Sequence, residues 1–170
     1  MQAIRPCLWC IDNAEEVADL YTSIFKNSRV LERSSYGKGA PLPEGTLLTA
    51  TIELQGQEFM LLNGGPNPNA SFSDGISFAV SVDTQEEVDH LWDRLTADGG
   101  EPGRCGWLKD KFGVSWQIVP KALVEVLSDE DSEKSSRAMQ AMMAMGKLDI
   151  AELRRAHAGA EARLPLQSAP

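Results

Sequence analysis

The sequence predicts an α+β fold: two βαβββ modules in tandem, then two C-terminal helices. One segment occurs twice. Asp12-Asn13-Ala14-Glu15-Glu16-Val17-Ala18-Asp19-Leu20-Tyr21 returns as Asp83-Thr84-Gln85-Glu86-Glu87-Val88-Asp89-His90-Leu91-Trp92, sharing the Asp, both Glu, the Val, the Leu and a closing aromatic without a gap. Each copy follows an apolar, strand-like stretch and opens an amphipathic pattern, so one strand–helix unit is used twice. Beyond Pro120 the strand signals stop and helical periodicity takes over.

Residues 4–11 read as the first strand. Asp12 and Glu15 have capping-box spacing, and Ala14, Val17, Ala18, Tyr21, Ile24 and Phe25 then share one helical face. Residues 29–36 read as a strand, and 37–45, rich in Gly and Pro, as a loop. Residues 46–55 and 57–63 form a hairpin turning at Gly56. Gly64 to Asn69 begins the link between halves. In 76–82, Ile76, Phe78, Val80 and Val82 alternate onto one side as core. Thr84 and Glu87 repeat the capping box, Val88, Leu91, Trp92 and Leu95 form the helix face, and Gly99-Gly100 ends it. Residues 105–109 and 113–119 form the last hairpin, so the middle strand of the second module is short or missing.

The organisation expected is a paired domain at 1–120, with halves at about 3–63 and 75–119, a helical extension at 121–160 and a tail at 161–170. In the extension, 133–145 and 149–158 read as helices divided at Gly146, with Met139, Met142 and Met143 on one face of the first. A methionine stripe packs a core, or covers a sheet edge or a partner chain. Asp149 and Glu152 cap the second helix, and the acidic 128–133 stretch reads as a solvated link.

Hydrophobic residues make up 42% and charged residues 24% of the 170, which is the balance of a folded domain. The net charge of −9 and the absence of a Lys/Arg cluster argue against nucleic acid, whose phosphates need such clusters. The apolar runs are too short for a bilayer, and the N-terminus lacks signal-peptide form. Cys7, Cys10 and Cys105 leave an odd thiol, which favours a reduced, cytoplasmic protein.

Pro6-Cys7-Leu8-Trp9, Ala14-Glu15-Glu16, Tyr21-Thr22-Ser23-Ile24-Phe25, Asn63-Gly64-Gly65-Pro66, the block Cys105 to Gln117 and Lys147-Leu148-Asp149-Ile150-Ala151 carry a resemblance. The chain resembles the PhnB-like branch, often labelled 3-demethylubiquinone-9 3-methyltransferase, of the vicinal-oxygen-chelate superfamily of glyoxalases, bleomycin-resistance proteins and dioxygenases. The resemblance runs from about residue 3 to 158 and is most specific over 105–117. It implies a curved mixed sheet around an interior cavity, and a homodimer.

It also implies a divalent metal on four inward positions, usually His or Glu. Here these fall on Arg5, Met60, Gly75 and Gln117. A cation repels the ion, a thioether is soft, glycine offers no ligand and an amide is weaker than a carboxylate. The expectation is therefore no metal and no cofactor. His90, mid-helix, and His157 read as surface histidines. A one-residue slip would turn every strand side chain over. The register taken here places Ile76, Phe78 and Val80 in the core, which needs an extra residue near Asp83.

In that register Arg5, Cys7 and Trp9 project inward with Met60, Leu62, Ser77, Ala79, Ser115 and Gln117, and Trp107 closes one end. Such an apolar, aromatic lining with a few polar groups suits a small molecule. Arg5 suits an anionic ligand, or pairs with a carboxylate; Trp9 and Trp107 line the space or fill it. Trp116, of opposite parity, reads as core. Arg5 would lower the pKa of Cys7, making it a candidate nucleophile; otherwise Cys7 is a small buried hydrophobe. Cys7 and Cys10 point to opposite faces of one strand, so they form neither a redox motif nor a zinc site. Neither Gly64-Gly65 nor Gly99-Gly100 follows a strand and opens a helix, as a nucleotide-like methyl donor would require.

The function expected is metal-independent binding of an unidentified small molecule by a cytoplasmic homodimer, with no nucleic acid and no membrane as partner. Two alternatives stay open. One is an enzyme of the superfamily, either a divergent metal-dependent lyase or dioxygenase or a methyltransferase. The other is an interaction module with its cavity packed shut. No residue is assigned a catalytic role.

Overall fold

The structure, a computed structural model, describes residues 4–159. The expected 161–170 tail, and Met1 to Ala3, lie outside the described residues. Contacts divide the chain after Ser71 into two units.

The first unit contains β1 (Cys7–Cys10), α1 (Ala14–Ile24), β2 (Ser28–Ser35), β3 (Leu47–Leu54) and β4 (Gln57–Asn63). The second contains β5 (Phe78–Val82), α2 (Gln85–Leu95), β6 (Glu101–Pro102), β7 (Trp107–Lys109), β8 (Ser115–Pro120) and the helices α3 (Lys121–Leu127), α4 (Ser132–Ala144) and α5 (Ile150–Ala158). The sheets are ordered β1-β4-β3-β2 and β5-β8-β7-β6, one topology used twice. In each, the first strand runs parallel to the fourth and the remaining neighbours are antiparallel. The α+β, two-module architecture read from the repeat is the one found. As that reading allowed, the middle strand of the second module is short: β6 has two residues.

Helix α1 buries Ala14, Val17, Ala18, Tyr21 and Ile24, the face its periodicity predicts. They meet the side of the first sheet that carries Leu8, Cys10, Ala50, Ile52, Phe59 and Leu61, all buried. The cap of α1 is a correction. Asn13, not Asp12, holds the cap position, and no side chain of its own turn bonds there. Instead Asn63, buried at the end of β4, accepts from the Ala14 amide at 2.9 Å and donates to the Leu47 carbonyl at 3.1 Å. A side chain distant in sequence thus satisfies an orphan helix donor. Helix α2 is capped as its sequence predicts, the Thr84 hydroxyl accepting from the Glu87 amide at 3.2 Å.

Strand β5 starts at Phe78, so Gly75, Ile76 and Ser77 precede it. Ile76 is 75% exposed, not core as the alternation suggested. Val80 and Val82 are buried, and their β8 partners Ile118 and Pro120 share that side. Trp116 is buried there too, as its parity predicts, with its ring 5.3 Å from that of Phe78.

The specific block at 105–117 turns on Asp110, which is 2% exposed. Its Oδ1 accepts from the amides of Phe112 and Val114 at 2.9 and 3.0 Å, and its Oδ2 from Trp116 Nε1 at 2.9 Å. One carboxylate therefore closes the β7–β8 turn and anchors the core indole.

Helix α3 gave no sequence signal. It has seven residues, starts at Lys121 after Pro120 at the cap position without a capping side chain, and is too short to show periodicity. The acidic stretch after it is more than a link. Asp131 caps α4 through the amides of Glu133 and Lys134, and Asp129 accepts from the Asp131 amide and meets His157 Nε2 at 2.8 Å. Asp149 caps α5 through the Glu152 amide, as expected. Of the predicted methionine face, Met142 packs on the Leu123, Leu148 and Leu153 cluster, but Met139 and Met143 are exposed.

Candidate functional site

Strand pairing places the expected site residues within each unit. In the first, Cys7 lies beside Met60 and Trp9 beside Leu62, on the side of the sheet turned away from α1. Met60, Leu62 and Trp9 are half-buried. The Trp9 indole donates to the Gly65 carbonyl at 2.9 Å and lies over Gly64, where a Cβ would come within 2.2 Å of the ring. The Asn63-Gly64-Gly65 motif is thus the seat of Trp9.

Arg5 precedes β1 and pairs with Glu58 at 3.0 Å, both half-buried. Of the two roles open to Arg5, this is the pairing with a carboxylate, and an anion would have to displace Glu58. Cys7 is exposed, which corrects its reading as a small buried hydrophobe. Its thiol is nonetheless partly desolvated, and this raises its pKa more than Arg5 lowers it. The candidate reading of Cys7 as a thiol activated by Arg5 gains no support from this balance. Cys10, buried behind it, is pushed up to about 11 by burial and the adjacent Cys7.

In the second unit, Gln117 lies between Ala79 and Trp107, and Ser115 beside Lys109, on the side turned away from α2. Gln117 Nε2 donates to Ser77 Oγ at 2.8 Å. The buried Ser115 hydroxyl donates to Asp74 Oδ1 at 2.9 Å, and Lys109 pairs with the same Asp74 at 3.3 Å. Ser115 and Lys109 hold the Asp74 carboxyl below its usual range. Trp107, half-buried, walls a cleft of about 350 Å³ at the β6–β7 edge, which also takes in Asp74, Glu101, Pro102, Arg104 and Lys109. Of these only Trp107 was singled out in the sequence. Asp74 and Arg104 lie in loops, Glu101 and Pro102 in a two-residue strand and Lys109 at the end of three-residue β7, all too short for periodicity to reveal them.

The positions implied for a metal do not fit one. Arg5 is bound to Glu58, Met60 offers only a thioether, Gly75 has no side chain and Gln117 is bonded to Ser77. Among the described residues no three His, Cys, Asp or Glu side chains cluster as ligands. His90 is exposed and His157 is engaged with Asp129.

The family model for 3-demethylubiquinone-9 3-methyltransferase matches residues 2–119. The chain belongs to this family. Among solved structures, the PhnB protein from Bacillus cereus is 36% identical, with a TM-score of 0.64 over 70% of this chain and 99% of that one. Protein PA1353 from Pseudomonas aeruginosa is 20% identical, with a TM-score of 0.58 over 71% and 98%. The fosfomycin resistance protein FosX from Listeria monocytogenes is 20% identical, with a TM-score of 0.53 over 75% and 98%. The last two share the fold alone. No curated protein matches the chain. The family match stops at residue 119, short of the 158 reached by the sequence resemblance, so α3, α4 and α5 lie beyond it.

Those helices are nevertheless tied to the site. The amides of Cys105 and Gly106 donate to the carbonyls of Met145 and Gly146, both at 2.8 Å, and Arg104 Nη2 donates to the Met143 carbonyl at 2.9 Å. The loop leading into Trp107 is thus held by the segment joining α4 to α5. No helix among the described residues is long and apolar enough to cross a membrane.

Proposed function

We propose that this chain is a metal-independent small-molecule-binding protein acting as a cytoplasmic homodimer, with its ligand surface in the second unit on the sheet face turned away from α2. The observation that carries this reading is the row Ala79, Gln117, Trp107: an amide held in place by Ser77 beside a half-exposed indole that walls a cleft. Oriented polar groups among aromatic and apolar surface are what small-molecule sites consist of. Met60, Leu62 and Trp9 give the first unit a similar surface. Metal independence rests on the donor chemistry at Arg5, Met60, Gly75 and Gln117. The dimer rests on Met139 and Met143, exposed apolar side chains that a second copy would cover. The compartment rests on Cys7 and Cys10, thiols on opposite faces of β1 that cannot bridge each other.

The test is a small-molecule screen by two-dimensional NMR, reading the indole signals of Trp9 and Trp107 and the side-chain amide of Gln117. Saturable shifts that persist in excess chelator are expected. Hits that appear only with added divalent metal would overturn metal independence. Saturable stabilisation by S-adenosylmethionine would favour the methyl transfer named in the family label.

A further inference from the structure

The cleft at the β6–β7 edge carries charges of both signs, and two of them join no ion pair among the described residues. Lys109 and Asp74 neutralise each other. Glu101 and Arg104 join no ion pair, with each other or with any other described residue, although both line the cleft; Arg104 makes one bond, to the Met143 carbonyl. A carboxylate and a guanidinium that join no ion pair among the described residues therefore belong to residues lining one cleft with the Trp107 indole.

The walls are fixed in advance. Gly103 donates to the Trp107 carbonyl at 2.9 Å, and a Cβ on it would approach that oxygen to 2.6 Å. Cys105 and Gly106 are pinned to Met145 and Gly146, and the Met143 carbonyl aims the guanidinium. A cleft that is already ordered loses little entropy when it is filled.

We propose that this cleft binds a small zwitterion: an ammonium set against Glu101, an oxyanion against Arg104, and an apolar or aromatic body over Trp107. The inference rests on the small-molecule reading above and names the ligand class for its second-unit part. The four charges of the lining sum to zero, so neither a pure anion nor a pure cation is favoured. A chain of net charge −9 also repels free anions but not a neutral dipole. The volume of about 350 Å³ holds a molecule the size of an aromatic amino acid.

The test titrates the full chain with L-phenylalanine, N-acetyl-L-phenylalanine and L-phenylalaninamide at mildly acidic pH, following the Trp107 indole signal, assigned with Trp107→Phe. Phenylalanine is expected to shift that signal saturably, and each blocked analogue to bind about tenfold more weakly. Glu101→Gln is expected to abolish discrimination against the N-acetyl compound, and Arg104→Gln discrimination against the amide. Both residues are exposed, so the variants should fold. A selectivity change of this kind does not follow from a merely structural role. Equal binding of a blocked analogue, or an unmoved Trp107 signal, would overturn the zwitterion site. In either case, shifts at Gln117 or Trp9 with other compounds would leave the small-molecule reading standing.

Discussion

Gln85 grips the backbone around Leu148 from both sides. Its Nε2 donates to the Leu148 carbonyl at 3.1 Å, and its Oε1 accepts from the Ile150 amide at 2.9 Å. Leu148 itself is 1% exposed. Gln85 belongs to the repeated segment, but its counterpart Ala14 has no such task. The second copy of the helix start has been put to use in docking the extension.

Gln85→Ala should therefore loosen α5 and the 143–149 segment. Each buried partner it leaves unsatisfied costs about 1–3 kcal/mol. With two partners lost, urea unfolding should show a loss of at least that order, and hydrogen exchange should quicken at the Cys105 and Gly106 amides. Lys147→Ala breaks solvent-exposed pairs to Asp89 and Asp93 and should cost only about 0–1 kcal/mol.

Asp110→Asn tests the origin of the specific block at 105–117. The carboxylate accepts from two amides and an indole, and an asparagine would turn a donor toward one of them. Bonds to a charged acceptor contribute about 1.5–3 kcal/mol, so denaturant unfolding should show a loss of at least that order. If the asparagine oxygen keeps the two amides, its NH2 faces Trp116 Nε1, and Trp116 fluorescence should change as well.

The thiols should be poor nucleophiles. With its pKa raised, Cys7 should react with iodoacetamide more slowly than free cysteine at neutral pH and accelerate as pH rises. Arg5→Ala should slow it further, since it removes the cation that offsets desolvation. Cys10, pushed up to about 11 and buried, should stay unlabelled until the chain unfolds.

Stability should fall in acid. Asp129 is lowered by the Asp131 amide and then by His157, Asp131 by the Lys134 amide, and Asp89 by Lys147 and then Gln85. A carboxyl whose folded pKa is depressed stabilises the fold above its unfolded value and loses that contribution as pH falls through the folded one. The loss should begin below about pH 4, the ordinary aspartate range, and continue to lower pH. Circular dichroism at helical wavelengths should record it, with a smaller acid loss in Asp129→Asn.

The repeat made the two-module fold legible, because strand–helix periodicity is local. Trp116 and the α2 cap were legible for the same reason. The α1 cap was not: Asn63 lies 49 positions from Ala14, and nothing near Asp12 reveals it. Ile76 continues an apolar alternation but precedes the strand, since alternation does not mark where pairing starts. The partner of Arg5 could be stated only as an alternative, because Glu58 comes to it through β4. The cleft at Glu101 to Lys109 was hidden because turns and extension contacts build it.

The most direct test of the central claim combines elemental analysis with ligand binding on one purified sample. Less than stoichiometric zinc, nickel, iron or manganese per chain is expected, with an unchanged affinity for a ligand shifting Trp107 or Gln117 after exhaustive chelation. One bound ion per chain, with that binding lost on its removal and restored by its return, would contradict it.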